Sequence, residues 1–414
     1  MTTLGDVADM LVGFSFKSAC FLEADSDGIA LVRGDNVQQG CIRWGDKTKK
    51  WPAADYERLK RYQLAEDDVI LAMDRPIVGD GLKMAWMKTE DLPALLVQRV
   101  CRLRGKVNFT TTRFLRYVIA APTFSSHVQR ITTGANIPHI SGKDIASYEF
   151  HLPDIDVQAK IVQCLVAYDD LIATNQRRIR LLEDAARHLY REWFVHLRFP
   201  GHESVAIKDG VPEGWVQGAA HDFVSILSGG TPKTGAERYW NGGIPFFTPK
   251  DCPTSFYVHT TEKTLTESGV SSCNSRLFPR ETIFITARGT VGKIALAQRP
   301  MAMNQSCYAL VAKQHCNNLF LFLAIREAVD YFKQVASGGV FSAIIIDTFK
   351  VIPFVLPIES VTDTFGQTVR PVFDQIETLT LQNLELAKAR DLLLPKLMSG
   401  QLDVSRVTYK EVPT

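Results

Sequence analysis

The sequence predicts an α+β protein written twice: two similar globular α/β domains and two long helices packed on one another. Three observations lead there. They are a segmental repeat, a change of hydrophobic period after each copy, and a composition that fits neither a disordered chain nor a membrane protein. At 414 residues the chain is too long for one ordinary core. Its 46% hydrophobic and 22% charged residues are those of a globular protein. The opening MTTLGDVADMLVGF has no basic segment and no small-residue cleavage site, so no export signal is expected. The most apolar window, VFSAIIIDTFKVIPFVLP (340–357), carries Asp347, Lys350 and two prolines, and reads as buried strand with turns and not as a membrane span. The eight cysteines show no CxxC and no Cys/His cluster at zinc-ligand spacing, so buried, reduced thiols in a cytoplasmic protein are expected and no metal site is. The net charge of +2 decides nothing, because a basic face can be offset by an acidic one.

The repeat is clearest in TTGANIPHISGKDIASYEFHLP (132–153) and ASGGVFSAIIIDTFKVIPFVLP (336–357), which align without a gap at an offset of 204. Each has glycine near its start (Gly134, Gly338), an acidic or hydroxyl position (Asp144 beside Asp347 and Thr348) and a closing Leu-Pro. Upstream, GIALVRGDN (28–36) resembles GIPFFTPKD (243–251). MDRPIVGDG (73–81) resembles TARGTVGKI (286–294), pairing Arg75 with Arg288, Gly79 with Gly292 and Asp80 with Lys293. LVQRVCRL (96–103) resembles MNQSCYAL (303–310). The shared order makes chance a poor explanation. Inside each half, β-rich runs such as DDVILAM and ETIFITA alternate with turns, and a helical piece precedes the glycine, which argues for a curved sheet with helices.

After each Leu-Pro the period becomes four-three. Ile161, Leu165, Tyr168, Ile172, Asn175, Ile179, Leu182, Ala186 and Leu189 carry it first. Phe365, Val369, Val372, Ile376, Leu379, Asn383, Leu386, Arg390 and Leu393 carry it again. Such spacing over four heptads is what a coiled-coil seam requires, and the Asn in each seam suits a register device. Asp154 or Asp156 can cap the first helix, and Ser360 with Asp363 the second. Pro371 is expected to kink the second helix, and Pro395 with Gly400 to end it. That leaves an uninterrupted piece of roughly 23 residues spanning ~35 Å, against ~55–60 Å for the first helix. The resulting division is 1–153, first domain; 154–198, first long helix; 199–215, a Gly/Pro-rich linker; 216–357, second domain; 358–400, second long helix; and 401–414, a tail.

ARGTVGKIA (287–295) looks at first like a phosphate-binding turn. A Walker loop needs GxxxxGK[ST], and here the glycines stand too close while Ile294 replaces the hydroxyl. No GxGxxG opens a helix after a strand, and neither HExxH nor GxSxG occurs. The nine histidines are dispersed, and no paired acids have a catalytic context. No catalytic residue is therefore expected. Glycines also let a loop approach a ligand closely while Arg and Lys reach outward. Arg288 suits guanine or phosphate, Lys293 phosphate, and Asn304 and Gln305 adenine. The loop 228–251 adds Lys233, Thr248, Lys250 and Asp251, and the first half offers Lys17, Arg33, Asn36, Arg75, Gln98 and Arg99 on matching loops. For any one of these, surface charge or turn chemistry is the plainer reading; as a set they read as DNA contacts. Trp215 and Trp240 are expected to be core anchors.

SGGTPKTGAERYWNGGIPFFTPKD, TARGTVGKIALA, MNQSCYAL, GANIPHISGKDI and LLLPKLMSGQLDV, with EDAARHLYREWFVHLRFPG and the PEGW of the linker, resemble the type I restriction–modification specificity (S) subunits over essentially the whole chain. The resemblance implies two target-recognition domains separated by long helices forming an antiparallel coiled coil, with a pseudo-twofold internal repeat. Each domain would read half of a gapped double-stranded DNA target. The helices would set the spacing and dock two methyltransferase (M) subunits. S-adenosylmethionine would belong to the M subunits, ATP and Mg to restriction (R) subunits, and no cofactor to this chain. Independently, helices of this length would place two contact sites about 10–17 base pairs apart. The first half departs from the TARGTVGK wording, with Asp74 and Asp80 where the second has Ala287 and Lys293. Two alternatives stay open: the recognition subunit of a two-component system that cuts both sides of its target, and a non-DNA coiled-coil scaffold with two ligand-binding domains.

Overall fold

A computed structural model describes residues 1–45, 47–79, 81–132, 138–289, 291–335 and 344–405. Gly134, Gly338 and Asp80, which carry part of the sequence repeat, lie outside the described residues. The chain divides into two compact units, Met1–Asp170 with Leu386–Thr414, and Leu171–Glu385. The division falls inside the long helices because each stretch of helix packs on the domain beside it. Ile161, Leu165, Leu394 and Leu397 belong to the first unit's core, and Ile179, Ala186, Phe365, Val369, Phe373 and Ile376 to the second's.

The first unit is built on an antiparallel sheet in the order Ala8–Val12, Val100–Gly105, Val69–Ala72, Met84–Trp86. The side chains alternate as a pleat requires. Val69, Leu71, Cys101 and Leu103 face the helices Thr112–Ala120 and Pro122–Thr132, whereas Ile70, Ala72 and Val100 face a second sheet. That sheet orders Lys50–Trp51, Ile29–Val32, Ala94–Leu96, with the last two parallel. The second unit repeats both layers. Its larger sheet runs Val224–Ser228, Cys307–Ala312, Ile283–Thr286, Ile294–Ala297, with Tyr257–Val258 added in parallel at the edge. Its smaller sheet runs Lys263–Leu265, Trp240–Phe247, Ala302–Met303, again with a parallel last pair.

Backbone hydrogen bonds give the register of the repeat residue by residue. Leu4 N–H donates to Tyr148 O (2.8 Å) as Ala220 N–H does to Ile352 O (2.9 Å). Ile140 N–H to Met73 O matches Ile344 N–H to Ala287 O, and Met73 N–H to Arg99 O matches Ala287 N–H to Ser306 O. Ala72 N–H to Lys83 O matches Thr286 N–H to Lys293 O. The offset of 204 thus holds for Ile140 and Ile344, but the gapless pairing of 73–81 with 286–294 does not. The first turn runs from 73 to 82 and the second only from 287 to 292. The extra residues form a small ladder, Ile77–Val78 against Gly81–Leu82. Lys83, not Asp80, is therefore the counterpart of Lys293, and Asp74, not Arg75, that of Arg288. An insertion within a turn leaves the flanking strands paired as before, so an ungapped comparison slides past it.

The long helices are Ile155–Tyr190, followed by a π-helical turn at Arg191–Val195, and Glu359–Met398. They pack antiparallel. In the first unit Asp169 accepts from Arg390 Nη1 (2.6 Å); in the second Asn175 Nδ2 donates to Asn383 Oδ1 (3.1 Å), and Asn383 Nδ2 reaches Ile172 O (3.4 Å). Of the expected first seam, Ile161, Leu165, Asn175, Ile179 and Ala186 are buried, and Tyr168, Ile172, Leu182 and Leu189 are half-buried. Of the second, Phe365, Val369, Ile376 and Leu379 are buried, while Val372, Asn383, Leu386, Arg390 and Leu393 are half-buried. Phe373, Leu394 and Leu397 are buried beside them, because the helix covers a domain core as well as its partner helix.

Two expectations for the second helix need correction. It runs as one helix of 40 residues through Pro371 and ends at Met398, where Pro395 with the left-handed Gly400 (φ 73°) was expected to end it. Both prolines are exposed, as are Gln367 and Asp391 one turn earlier, so the carbonyls they leave without an N–H partner meet water. Ser360 lies inside the first turn and not at the cap position. None of the eight cysteines is in a disulfide, but Cys20, at the end of a 3-10 turn, and Cys41 are exposed, where buried thiols were expected. No described helix is long and apolar enough to cross a membrane.

Candidate nucleic-acid interface

In the second unit the strand Trp240–Phe247 ends in Thr248-Pro249-Lys250-Asp251, and the turn after Ile283–Thr286 carries Arg288. Between them opens a cleft of about 390 Å³ lined by Thr248, Lys250, Asp251, Arg288 and Asn304 of the expected residues, together with Trp240, Lys263 and Thr231. Arg288 is exposed and forms no ion pair among the described residues, so its guanidinium is available to a ligand. Lys250 lies 3.9 Å from Glu262, with both side chains exposed. Lys263 Nζ stands 5.5 Å from the centre of the Trp240 ring. Gln305 is exposed at the rim, where its Oε1 accepts from Thr231 Oγ1. Lys233 is exposed and its carbonyl accepts from Trp240 Nε1 (3.2 Å). Lys293 is exposed but does not line the cleft.

Several residues read as DNA contacts serve the turns themselves. Asp251 accepts from Thr248 N–H (2.8 Å) and Oγ1 (2.6 Å) through one oxygen and from Glu262 N–H (2.7 Å) through the other. Asn36, in the matching place, is 6% exposed. Its Oδ1 accepts from Arg33 N–H and its Nδ2 donates to Arg43 O, both at 3.1 Å. Side-chain acceptors three residues on are ordinary turn chemistry. Asn36 is thus a buried turn closer, because the chain folds over its amide, and it presents nothing to a ligand. Asn304, which lines the cleft, accepts from Ser306 N–H through Oδ1 (3.0 Å).

The first unit gathers a different set. Arg99 Nη1 donates to Asp74 Oδ2 (2.9 Å), and His139 Nδ1 bonds Asp74 Oδ1 (2.6 Å). Burial pushes the Asp74 carboxyl up, but those two hydrogen bonds and charges outweigh it and hold it below its usual range. Lys83, absent from the sequence expectations, is half-buried, and burial lowers its pKa against the opposing pull of Asp35 and Asp74. Arg33 pairs with Asp35 (3.5 Å). Lys17, Arg75 and Gln98 are exposed. Asp74, His139 and Lys83 escaped sequence reasoning because only the fold brings them near Arg99. Lys263 and Trp240 were missed as partners for the same reason. Trp215 is a core anchor beside Phe194 and Phe199, whereas Trp240 stands half-exposed in the cleft, at the first residue of the smaller sheet's central strand. His315 lies 3.3 Å from both exposed Glu359 and half-buried Asp363 at the start of the second long helix.

A duplicated α+β domain with a polar, basic turn cluster on each copy, joined to paired long helices, defines a tandem recognition protein. The family model for the type I restriction modification DNA specificity domain matches residues 1–184 and 212–386. The chain belongs to that family and is a specificity subunit, the non-catalytic component of a type I restriction–modification enzyme. It is 22% identical over 364 residues to the type I restriction enzyme HindI specificity subunit of Haemophilus influenzae, covering 72% of this chain and 79% of that one. It is 32% identical over 182 residues to the EcoAI specificity subunit of Escherichia coli, covering 44% and 30%. The solved S subunit of a type I restriction-modification system from M. genitalium shares the fold, with a TM-score of 0.52 at 13% identity over 96% of this chain and 95% of that one.

Proposed function

We propose that each domain reads one half of a gapped, bipartite duplex target, and that the long helices set the spacing and dock two M subunits. The S-adenosylmethionine of the M subunits, and the ATP and Mg of the R subunits, then supply chemistry for which this chain provides only the address. The carrying observation is the cleft of the second domain, where Lys250, Lys263, Arg288 and Asn304 surround Trp240. Cations suit phosphates and base acceptors, an amide suits adenine, and a close-packed turn lets them approach the groove. The first domain offers Arg75, Gln98, Arg99, Lys17, Arg33 and Lys83 on the corresponding turns. Such a subunit works on chromosomal DNA in the cytoplasm.

The test is a map of adenine methylation in cells with the M partner, with and without this chain. Loss of one bipartite motif is expected, and an unchanged map with the system expressed would overturn the reading.

A further inference from the structure

The two recognition turns share a backbone and differ in where they carry their positive charge. Met73 N–H donates to Arg99 O (2.9 Å), as Ala287 N–H does to Ser306 O (2.8 Å). Positions 74 and 99 of the first unit therefore answer to 288 and 306 of the second. In the second unit the guanidinium comes from position 288 and its neighbour is a serine. In the first it comes from position 99, and position 74 is an aspartate. At these paired positions each domain carries one guanidinium, supplied from opposite sides of the same pair of turns, and the first domain adds Arg75 beside Asp74.

The first domain's arrangement also fixes its arginine. The Arg99 side chain is 69% exposed, yet Nη1 is held by Asp74 Oδ2 at 2.9 Å. The other Asp74 oxygen is held by His139 at 2.6 Å, so the carboxylate cannot swing to follow the arginine. An isolated surface ion pair is a weak contact. Here it leaves four of the five guanidinium N–H donors uncommitted to Asp74 and restrains where the fork stands. Guanine offers O6 and N7 side by side in the major groove, which a planar fork meets with two parallel hydrogen bonds. An arginine already held in place loses less freedom on binding than a free one.

We propose that Arg99 is the guanine-reading residue of the first domain, taking from the position of Ser306 the part that Arg288 plays in the second, and that Asp74 is its positioning residue. This rests on the reading of each domain as the recognition module for one half-target.

The experiment uses the full chain with its M partner on a library of randomised DNA targets, scoring methylation at every position. The variants are Arg99→Ala, Arg99→Lys, Asp74→Asn and the double variant Arg99→Ala with Asp74→Asn. Arg99→Ala should lower the preference for guanine at one position of the first domain's half by about 10-fold or more, with the other positions and the other half unchanged. Arg99→Lys should fail at that position too, since an ammonium keeps the charge without the fork. Asp74→Asn should weaken the same position by a smaller factor and have no further effect once Arg99 is gone. The unchanged second half shows in each variant that the subunit has folded and assembled. A loss spread evenly over all positions would make Arg99 a phosphate contact and overturn the proposal. So would an unaltered guanine preference, a first half without guanine, or full retention by Arg99→Lys. A wild-type target that is not bipartite would overturn the underlying reading and this inference with it; failure of the variants against a bipartite wild type overturns this inference alone.

Discussion

Removing the Asp169 carboxylate should detach the long helices from the first domain. Asp169 sits on the first long helix with its side chain 10% exposed, against Arg116, itself 9% exposed. One oxygen accepts from Arg116 Nη2 and from Tyr117 Oη (2.7 Å); the other accepts from Arg390 Nη1 (2.6 Å) of the second helix. The Arg116 guanidinium also lies 3.3 Å from the centre of the Trp86 ring, so it cannot leave for water without abandoning that contact. Breaking a buried pair from one side costs ~3–5 kcal/mol, because a buried charge is left uncompensated. Arg390 is 29% exposed and can turn outward, and the stacking on Trp86 survives, so the lower part of that range applies, ~3 kcal/mol for Asp169→Ala. With a urea slope of about 1–3 kcal/mol per molar, the midpoint should fall by about 1–3 M. Hydrogen exchange followed by mass spectrometry along a urea series reads this locally, through peptides from the strands Val69–Ala72 and Val100–Gly105. Lys60→Ala is the control, since Lys60 and Glu57 pair at 3.2 Å with side chains 74% and 77% exposed. If Asp169→Ala moves the midpoint no further than Lys60→Ala, the carboxylate does not anchor the helices and the reasoning is refuted.

Arg288→Ala should reduce discrimination at one base pair of the half read by the second domain by ~1–3 kcal/mol, measured by competition between single-substituted duplexes; equal loss on every duplex would assign Arg288 to phosphate. Burial holds the Glu183 carboxyl above its usual range, despite hydrogen bonds from Ser255 Oγ and Phe256 N–H and the charges of Arg326 and Arg187. A carboxyl with a raised folded pKa binds its proton more tightly when folded, so its contribution is complete below the ordinary glutamate range and is lost as pH rises through the raised value. Glu183→Gln keeps an acceptor for both donors and removes that slope, so its Tm should gain on wild type as pH rises above the ordinary glutamate range, and a constant difference would count against the burial argument. With a net charge of +2, the purified chain should bind duplex DNA weakly at physiological salt and tightly only with M subunits, as read by fluorescence anisotropy. Nanomolar binding by the chain alone would contradict this.

The repeat and the heptads were legible because both are patterns along the chain. An offset of 204 placed Ile140 opposite Ile344, and the backbone bonds to Met73 and Ala287 use that pairing. Alternating four and three spacing marked Asn175 and Asn383, which meet at 3.1 Å. What escaped depends on contacts across the fold. Pro371 was read as a kink because a sequence does not show that its freed carbonyl faces water. Asn36 and Asp251 looked like reading residues, yet an acceptor three residues past a turn's start already served the turn, and that spacing stood in RGDN and TPKD. Asp74 and Arg99 are 25 residues apart and Asp74 and His139 are 65, so no local pattern joins them.

The same contrast explains how one scaffold carries two different sets of turn side chains. The bonds that hold the recognition turns are backbone to backbone, Met73 to Arg99 and Ala287 to Ser306, and none depends on the side chain at 74, 99, 288 or 306. Aspartate and arginine in one copy therefore replace arginine and serine in the other without a change in strand register. Even the four added residues between 73 and 82 are absorbed by their own short ladder, leaving Ala72 bonded to Lys83 as Thr286 is to Lys293. Side chains at these positions are free to differ between the copies, because the sheet beneath them asks only for their backbone.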